Sequence, residues 1–157
     1  MVISFLLIEI YPDLIKILLI ITLLICSALI SGSEVAFFSL SKTDLKKISS
    51  SNAKNLKLIS FLRSDPRRLL ATLLVSNNFI NISIVLLLAS FGQLFDVVFF
   101  PNWLNFVLEV GFITALILLF GEILPKVYAN RKPISFSKKM AFPVRFIDKY
   151  LFFFLTI

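Results

Sequence analysis

The sequence predicts an all-α integral membrane protein, and the evidence lies in its composition and in its apolar runs. Of the 157 residues, 59% are hydrophobic, and the mean hydropathy is +0.97. Several apolar runs reach the roughly 20 residues that a helix needs to cross a bilayer. The alternating pattern of a transmembrane barrel is absent, which leaves helices as the spanning structure. The alternative is a soluble protein with several buried helices, and the length of the runs argues against it.

The charged and reactive residues argue against an enzyme and against a protein that binds nucleic acid. The chain has no histidine, which removes the commonest general base and the commonest transition-metal ligand. Cys26 is the only cysteine, so we expect neither an intramolecular disulfide nor a cysteine metal cluster. Loop charges that set membrane topology explain the net charge of +7 without nucleic acid. We therefore expect no catalytic residues and no bound organic cofactor.

The first predicted span covers about residues 14–40 and is interrupted near its end. The small and polar residues SGSE occupy 31–34, after which the hydrophobic pattern resumes. Such an interruption, with a glycine in it, is typical of a discontinuous membrane helix that breaks at Gly32. In the alternative interpretation, Ser31 ends a short helix and residues 35–38 begin an interfacial one.

Residues 41–68 are rich in lysine and arginine and predict helices on the membrane surface. Their leucine and isoleucine residues follow a patchy helical period. We expect two short amphipathic helices whose lysines face lipid head groups. Asp65 followed by Pro66 is typical of a helix start, with Asp65 as the cap. The second span then covers about residues 68–94.

The second span has two polar stripes. Ser76, Ser83 and Ser90 repeat every seven residues and therefore lie on one face of a helix. Small hydroxyl residues in such a stripe usually mark close helix packing. Asn77 and Asn81, four residues apart, form the second stripe. Their amides offer carbonyl oxygens as ligands, although hydrogen bonds between helices explain the spacing equally well.

The third span covers about residues 103–125, and a juxtamembrane helix follows at about 136–157. The basic segments 41–68 and 126–149 flank an even number of crossings, whereas 95–102 contains no basic residue. The positive-inside rule then predicts an N-terminus outside the cell and a C-terminus in the cytoplasm. We expect a multi-pass protein of a bacterial-type cell membrane, surrounded by the lipid bilayer.

The third span ends in the sequence GEILPK, in which a carboxylate and a proline call for an explanation. A carboxylate at the centre of a membrane helix costs about 2.5–3.5 kcal/mol on insertion scales. Pro125 cannot donate a backbone N–H, so the carbonyl of Gly121 loses its helical partner and the helix is expected to break there. Glu122 and this carbonyl are oxygen ligands for a hard cation. In the alternative, Glu122 faces the interface beside Lys126.

Polar oxygens from all three spans complete a predicted metal site. None of the candidates supplies a nitrogen or sulfur ligand, so the set suits magnesium, calcium or sodium and does not suit zinc or copper. The candidate metal ligands are Ser31, Ser33, Asn77, Asn81, Gly121 and Glu122.

Three segments of the chain resemble the signatures of a known family of magnesium transporters. They are SGSEVAFFSLS at 31–41, LATLLVSNNFINI at 70–82 and FGEILPK at 120–126. In order and spacing they are similar to the CNNM/CorC family, also described as cyclin M and haemolysin C-like proteins. The last of the three is the most specific, and the resemblance extends over nearly the whole chain.

The resemblance implies a homodimer with three spans and one juxtamembrane helix in each subunit. It also implies an inward-facing cavity that binds partly or fully dehydrated Mg²⁺, and export of Mg²⁺ coupled to entry of Na⁺. By the pattern of the family, Ser31, Asn77 and Glu122 are the ligand positions. Gly121 and Pro125 shape the helix around the ion.

The chain also departs from the family. Members usually continue into cytosolic CBS modules that bind ATP and Mg²⁺, whereas residues 1–157 correspond to the transmembrane domain alone and contain no nucleotide-binding glycine loop. Ser76 stands where members commonly have glycine. The alternative function is therefore a non-transporting membrane scaffold or split subunit, which needs a separate CBS-containing protein as its partner.

Overall fold

Every regular element in the described part of the chain is a helix. The computed structural model describes residues 2–49, 53–90 and 101–155. In chain order the elements are α1 (Val2–Phe38), α2 (Lys42–Ser49), α3 (Lys54–Ser64), α4 (Pro66–Ala89), α5 (Asn102–Leu116), a π-helical segment (Ile117–Ile123), α6 (Leu124–Arg131) and α7 (Pro133–Leu155). The predicted connection at 95–102 lies, up to residue 100, outside the described residues.

Among the described residues, three helical stretches are long and apolar enough to cross a membrane. They are Asp13–Phe38 within α1, Pro66–Ala89, which is α4, and Asn102–Arg131, which joins α5, the π segment and α6. We call the last stretch the third span. Their outer faces carry large exposed side chains, such as Phe79 at 71% and Leu86 at 66%, as expected of surfaces in contact with lipid. The predicted all-α membrane fold with three transmembrane helices is confirmed.

The surface helices lie where the sequence predicted them. Helices α2 and α3 connect the first two spans, and α7 follows the third. Asp65 caps α4, because its side chain accepts a hydrogen bond from the backbone N–H of Arg68, and Pro66 opens the helix. Residues of α1, α3, α4 and α7 share one buried apolar cluster, which includes Phe37, Ile59 and Val144.

The first span is one unbroken helix, so both interpretations of the SGSE interruption are wrong. Gly32 lies within α1 and is buried. A Cβ atom at this position would lie 2.7 Å from Cζ of Phe136 and 3.3 Å from the carbonyl oxygen of Pro125. The glycine therefore allows α7 and α6 to approach α1 closely, and it breaks nothing. Sequence alone cannot separate these two uses, because both need a residue without a side chain.

Pro125 does not end the third span either. The chain stays helical through it, but the seven residues before α6 are π-helical, with the backbone N–H of Leu124 bonded to the carbonyl of Leu119. Such wide turns are rare, and they occur frequently at functional sites. The predicted break is thus a change of helical form, which turns the side chains at its end to a new direction.

Contacts between the spans define their relative directions. The ammonium of Lys16 lies 3.4 Å from the carbonyl of Ser90. Further along α1, Ser27 contacts Asn77 and Asn81 in α4, so these two helices are antiparallel. The third span runs parallel to α1. Successive contacts of α1 with the third span advance along both helices together, through the pairs Ser27 with Gly121, Gly32 with Pro125, Glu34 with Lys126 and Ser39 with Asn130.

An ion-pair network fastens α7 to α4. Asp148 is 2% exposed, and its carboxylate accepts hydrogen bonds from Arg68 at 2.8 and 3.1 Å. Arg145 at 3.0 Å and Thr72 at 3.2 Å complete its partners. A buried carboxylate must be paired in this way, because an unpaired charge inside a protein is costly. The network therefore fixes where α7 lies against the spans.

We expect Asp148→Asn to lower the free energy of unfolding by about 1–3 kcal/mol, because charge-assisted hydrogen bonds to two arginines are lost at a buried position. Asp13→Asn is the matched control. It removes a carboxylate that is 56% exposed and pairs with Lys16, so it should cost less than about 1 kcal/mol. Unfolding in detergent, followed by circular dichroism, measures both. Equal losses in the two variants would contradict the anchoring role of Asp148.

Gly32→Ala should also destabilise the protein, by about 1–3 kcal/mol, because the new methyl group overlaps the ring of Phe136. The double variant Gly32→Ala, Phe136→Leu should recover part of that loss. Gly111→Ala is the control, since nothing lies within 4 Å of a Cβ atom there. In that variant, stability should stay level or rise by up to about 1 kcal/mol. If Gly32→Ala leaves the free energy of unfolding unchanged, α7 approaches α1 more loosely than the contact indicates.

Candidate functional site

Four polar side chains from the three spans meet in one hydrogen-bonded group, which we call the polar cluster. It consists of Ser27 in α1, Asn77 and Asn81 in α4, and Glu122 in the π segment. The hydroxyl of Ser27 lies 3.1 Å from Oδ1 of Asn77 and 2.8 Å from Oδ1 of Asn81. Nδ2 of each asparagine donates to Oε1 of Glu122, at 3.2 Å from Asn77 and 3.0 Å from Asn81.

The two asparagine amides are held from both sides, but unequally. A hydroxyl has a single proton, so Ser27 shares it between two carbonyl oxygens, and the shorter bond is to Asn81. The oxygen of Asn77 is therefore the less satisfied of the two. Within the described residues, Oε2 of Glu122 receives no hydrogen bond. Both atoms have lone pairs to offer to a ligand.

Local backbone form explains how Glu122 reaches the asparagines. The residue lies near the end of the π segment, where the wider turn redirects side chains relative to an α-helix. The preceding Gly121 is buried, and a Cβ atom there would lie 3.1 Å from the hydroxyl of Ser27. The missing side chain thus allows α1 and the third span to approach at the level of the cluster.

One face of α1 continues the polar cluster toward the end of the bundle that carries α7. Relative to Ser27, Ser31 is rotated by about 40° and Glu34 by about 20° in the other direction, at 3.6 residues per turn. Ser31 is 1% exposed, and its hydroxyl has no hydrogen-bond partner among the described residues. A buried hydroxyl without a partner is costly, so this oxygen is suited to a ligand.

Other predicted site residues lie elsewhere. Ser33 is rotated by about 120° from Ser27, and its hydroxyl donates to the carbonyl of Leu29. It is not brought to the polar cluster. The hydroxyls of Ser76 and Ser83 likewise donate to carbonyls of their own helix, at Thr72 and Phe79. Such bonds are consistent with packing positions.

Lys126 is not the partner of Glu122. Its ammonium lies 3.2 Å from Oε2 of Glu34 in α1. Glu122 accepts from the two asparagines instead, so the alternative of an interfacial glutamate beside Lys126 is not what the structure contains. Glu122 is thus met by neutral donors, and it is the one carboxyl group among the four side chains of the polar cluster.

An open groove of about 320 Å³ runs beside the polar cluster, between α4 and the third span. Its walls are mostly apolar, but Asn81 and Glu122 lie among them. The lining residues are Asn81, Ile82, Val85, Leu86, Thr114, Ile117, Leu118 and Glu122. The cluster can therefore be reached from the side without displacing a span.

The ligand chemistry of the site is that of oxygen. Within the described ranges, no group of three or more His, Cys, Asp or Glu side chains could hold a metal ion. A cation here would depend on one carboxylate together with amide and hydroxyl oxygens, which is the ligand type that hard cations prefer.

Sequence reasoning missed Ser27. It lies in the apolar part of the first span, where a lone serine costs little and usually indicates helix packing. The available signal was its spacing, since Ser27 and Ser31 are four residues apart and share one helix face. In contrast, Asn77, Asn81 and Glu122 stood out as costly groups in apolar runs, and the structure brings all three together.

The chain is similar in sequence to known proteins. The chain matches the family model of the cyclin M transmembrane N-terminal domain over residues 18–157. A UPF0053 protein of Synechocystis is 31% identical over 79% of the chain and 34% of its own length. The UPF0053 inner membrane protein YfjD of Escherichia coli is 28% identical over 77% of the chain and 26% of its own length.

A relative from an animal also matches. The metal transporter cnnm-4 of Caenorhabditis elegans is 31% identical over 76% of the chain and 26% of its own length. The chain thus spans between a quarter and about a third of the length of these curated relatives. The family match includes every residue of the polar cluster. The chain belongs to the CNNM family, and the matched region is the transmembrane N-terminal domain of that family.

Proposed function

We propose that the chain is the ion-transport domain of a metal transporter, with Mg²⁺ as the transported substrate. The polar cluster is the observation that supports this most, because one carboxylate, two amides and a hydroxyl from three spans converge there. Membership of the CNNM family, and the name of the relative from C. elegans, support a transport role at the family level. Export of Mg²⁺ coupled to entry of Na⁺ is the specific reaction that we propose.

In this proposal the cation binds between Glu122 and the spans that face it. Glu122 supplies the negative charge, and Asn77 and Ser31 supply an amide oxygen and a hydroxyl oxygen. Asn81 and the carbonyl of Gly121 complete the oxygen set. Mg²⁺ prefers six oxygen ligands at short distance and gives up its waters reluctantly, so several retained waters are compatible with this set.

Binding of a cation requires a change in the amide groups. Both asparagines present Nδ2 to Glu122 in the structure, and a half-turn of each amide would present Oδ1 instead. Ser27 suits both orientations, because a hydroxyl donates to an amide oxygen and equally accepts from an amide N–H. We therefore propose that Ser27 holds the amides in either orientation.

The assembly and the membrane orientation belong to the same proposal. We propose a homodimer in a cell membrane, with the N-terminus outside and the C-terminus in the cytoplasm. A separate CBS-containing protein is the proposed regulatory partner. The activity of the whole-length relatives is carried to this chain only as a proposal, since the chain spans about a third of their length or less.

Glu122→Gln and Asn77→Ala should each reduce Mg²⁺ flux in proteoliposomes to the background, because the charge or a ligand oxygen is removed. Asn78→Ala is the matched control. It alters the neighbouring asparagine, which is exposed on α4 outside the polar cluster, and flux should persist. Size-exclusion chromatography checks that each variant is folded. Full flux in both cluster variants would refute the site. No flux from the unaltered chain, restored by a CBS-containing partner, would favour the scaffold function.

Ser27→Ala should weaken Mg²⁺ binding by about tenfold, which corresponds to one lost hydrogen bond to a buried group. In this variant the amides of Asn77 and Asn81 lose the hydroxyl that holds them in either orientation. Ser83→Ala is the control, because its hydroxyl bonds to the carbonyl of Phe79 in its own helix. Isothermal titration of the detergent-solubilised protein with Mg²⁺ measures the affinity. An unchanged affinity in Ser27→Ala would show that the amides are oriented by other contacts.

A further inference from the structure

A second charged feature connects α1 to the third span beyond the polar cluster. The ammonium of Lys126 lies 3.2 Å from Oε2 of Glu34, and the two side chains are 36% and 28% exposed. Unlike the buried network at Asp148, this pair is in partial contact with the surroundings. A partly exposed ion pair contributes little to stability and opens readily. The pair is therefore a weak element in an otherwise close contact.

The pair lies directly beyond the polar cluster, on the side of α7. Glu34 follows Ser27 by seven residues on the same face of α1, a rise of about 10 Å. Lys126 follows Glu122 by four residues, about one turn along the third span. Because α1 and the third span are parallel, both separations point in the same direction. A cation leaving the cluster along this face would meet the pair next.

Ser31 occupies the position between the polar cluster and the pair. It lies four residues after Ser27 and three before Glu34, and it is 1% exposed. Its hydroxyl oxygen has no partner within the part of the chain that the structure describes. An unsatisfied buried hydroxyl between two carboxylates is a second, independent indication that a ligand passes here. The side chains of Ser27, Ser31 and Glu34 form a line of oxygens along α1.

We propose that the Glu34–Lys126 pair closes the path between the polar cluster and the α7 end of the bundle, with the Lys126 ammonium at the place that a passing cation takes at Glu34. When the pair opens, the passing cation replaces the Lys126 ammonium at the Glu34 carboxylate. The Glu34 carboxylate therefore keeps a positively charged partner while the ion moves. This proposal rests on the proposed transport function.

Other contacts keep the helices together when the pair opens. Gly32 lies against the carbonyl of Pro125, and Ser39 donates to Asn130 at 3.0 Å. Neither contact involves the two charges. The pair can therefore open by a movement of the lysine side chain, without separating α1 from α6. A purely structural tie would behave differently, because its loss would part the helices for any solute.

The test measures access to Ser31 and requires no ion flux. The chain carries Ser31→Cys in a Cys26→Ala background, and its thiolate is modified by methanethiosulfonate reagents in detergent. The thiolate attacks the reagent sulfur, a mixed disulfide forms and methanesulfinate leaves. A cationic trimethylammonium reagent is compared with a neutral reagent of similar size. The Cys26→Ala chain without Ser31→Cys gives the background rate.

Lys126→Met should accelerate modification by the cationic reagent about two- to fivefold, the factor that matches the strength of a partly exposed ion pair. Glu34→Gln should accelerate the neutral reagent but not the cationic one, because the unpaired lysine remains in the path. If Lys126→Met misfolds, Lys126→Gln gives a second test of faster modification by the cationic reagent. Asn130→Ala removes the uncharged contact with Ser39 and should leave both rates unchanged.

Two results would overturn the proposal. One is an unchanged rate in both charge variants, which shows that the pair does not obstruct Ser31. The other is equal acceleration of both reagents in every variant, Asn130→Ala included, which shows that the helices simply part. Neither depends on transport. If Mg²⁺ flux is absent, the proposed transport function fails, and the labelling rates still test the ion pair by themselves.

Discussion

The parallel contact between α1 and the third span is the constraint on which the rest of the site depends. Two glycines permit it, Gly121 opposite Ser27 and Gly32 opposite Pro125. A Cβ atom would lie 3.1 Å from the hydroxyl of Ser27 at Gly121 and 3.3 Å from the carbonyl oxygen of Pro125 at Gly32, so a side chain at either position would require the neighbouring atoms to shift. Because the two helices run in the same direction, the spacing along one is repeated along the other. The polar cluster and the ion pair beyond it therefore align.

Within the third span, the structure surrounds the Glu122 carboxylate with amide dipoles and pairs Lys126 with another residue. Two amide N–H groups stabilise the carboxylate without neutralising it. A direct ion pair with Lys126 would leave no net charge for a cation to bind. Lys126 pairs with Glu34 instead, so its ammonium does not occupy the Glu122 carboxylate. Glu34 thus pairs with the lysine, and the Glu122 carboxylate stays available to a ligand.

The sequence predicted the features that depend on composition and missed those that depend on register. Span lengths follow from apolar runs, and Asn77, Asn81 and Glu122 stood out because each is costly in a membrane. Gly32 was assigned a helix break, because a glycine that permits close approach has the same local signature. The pairing of Glu34 with Lys126 depends on how two distant helices align, which no local pattern contains. Ser27 was missed since a single serine carries little cost.

The polar cluster also has a consequence for how the protein is made. The chain is synthesised from its N-terminus, so α1 and α4 enter the membrane before the third span. The contacts of Ser27 with both asparagine oxygens involve these two helices alone, and the amide N–H groups face the position that Glu122 takes in the complete fold. The third span then brings its carboxylate to donors that are in place. We therefore expect the two earlier helices to lower the cost of inserting the Glu122 carboxylate.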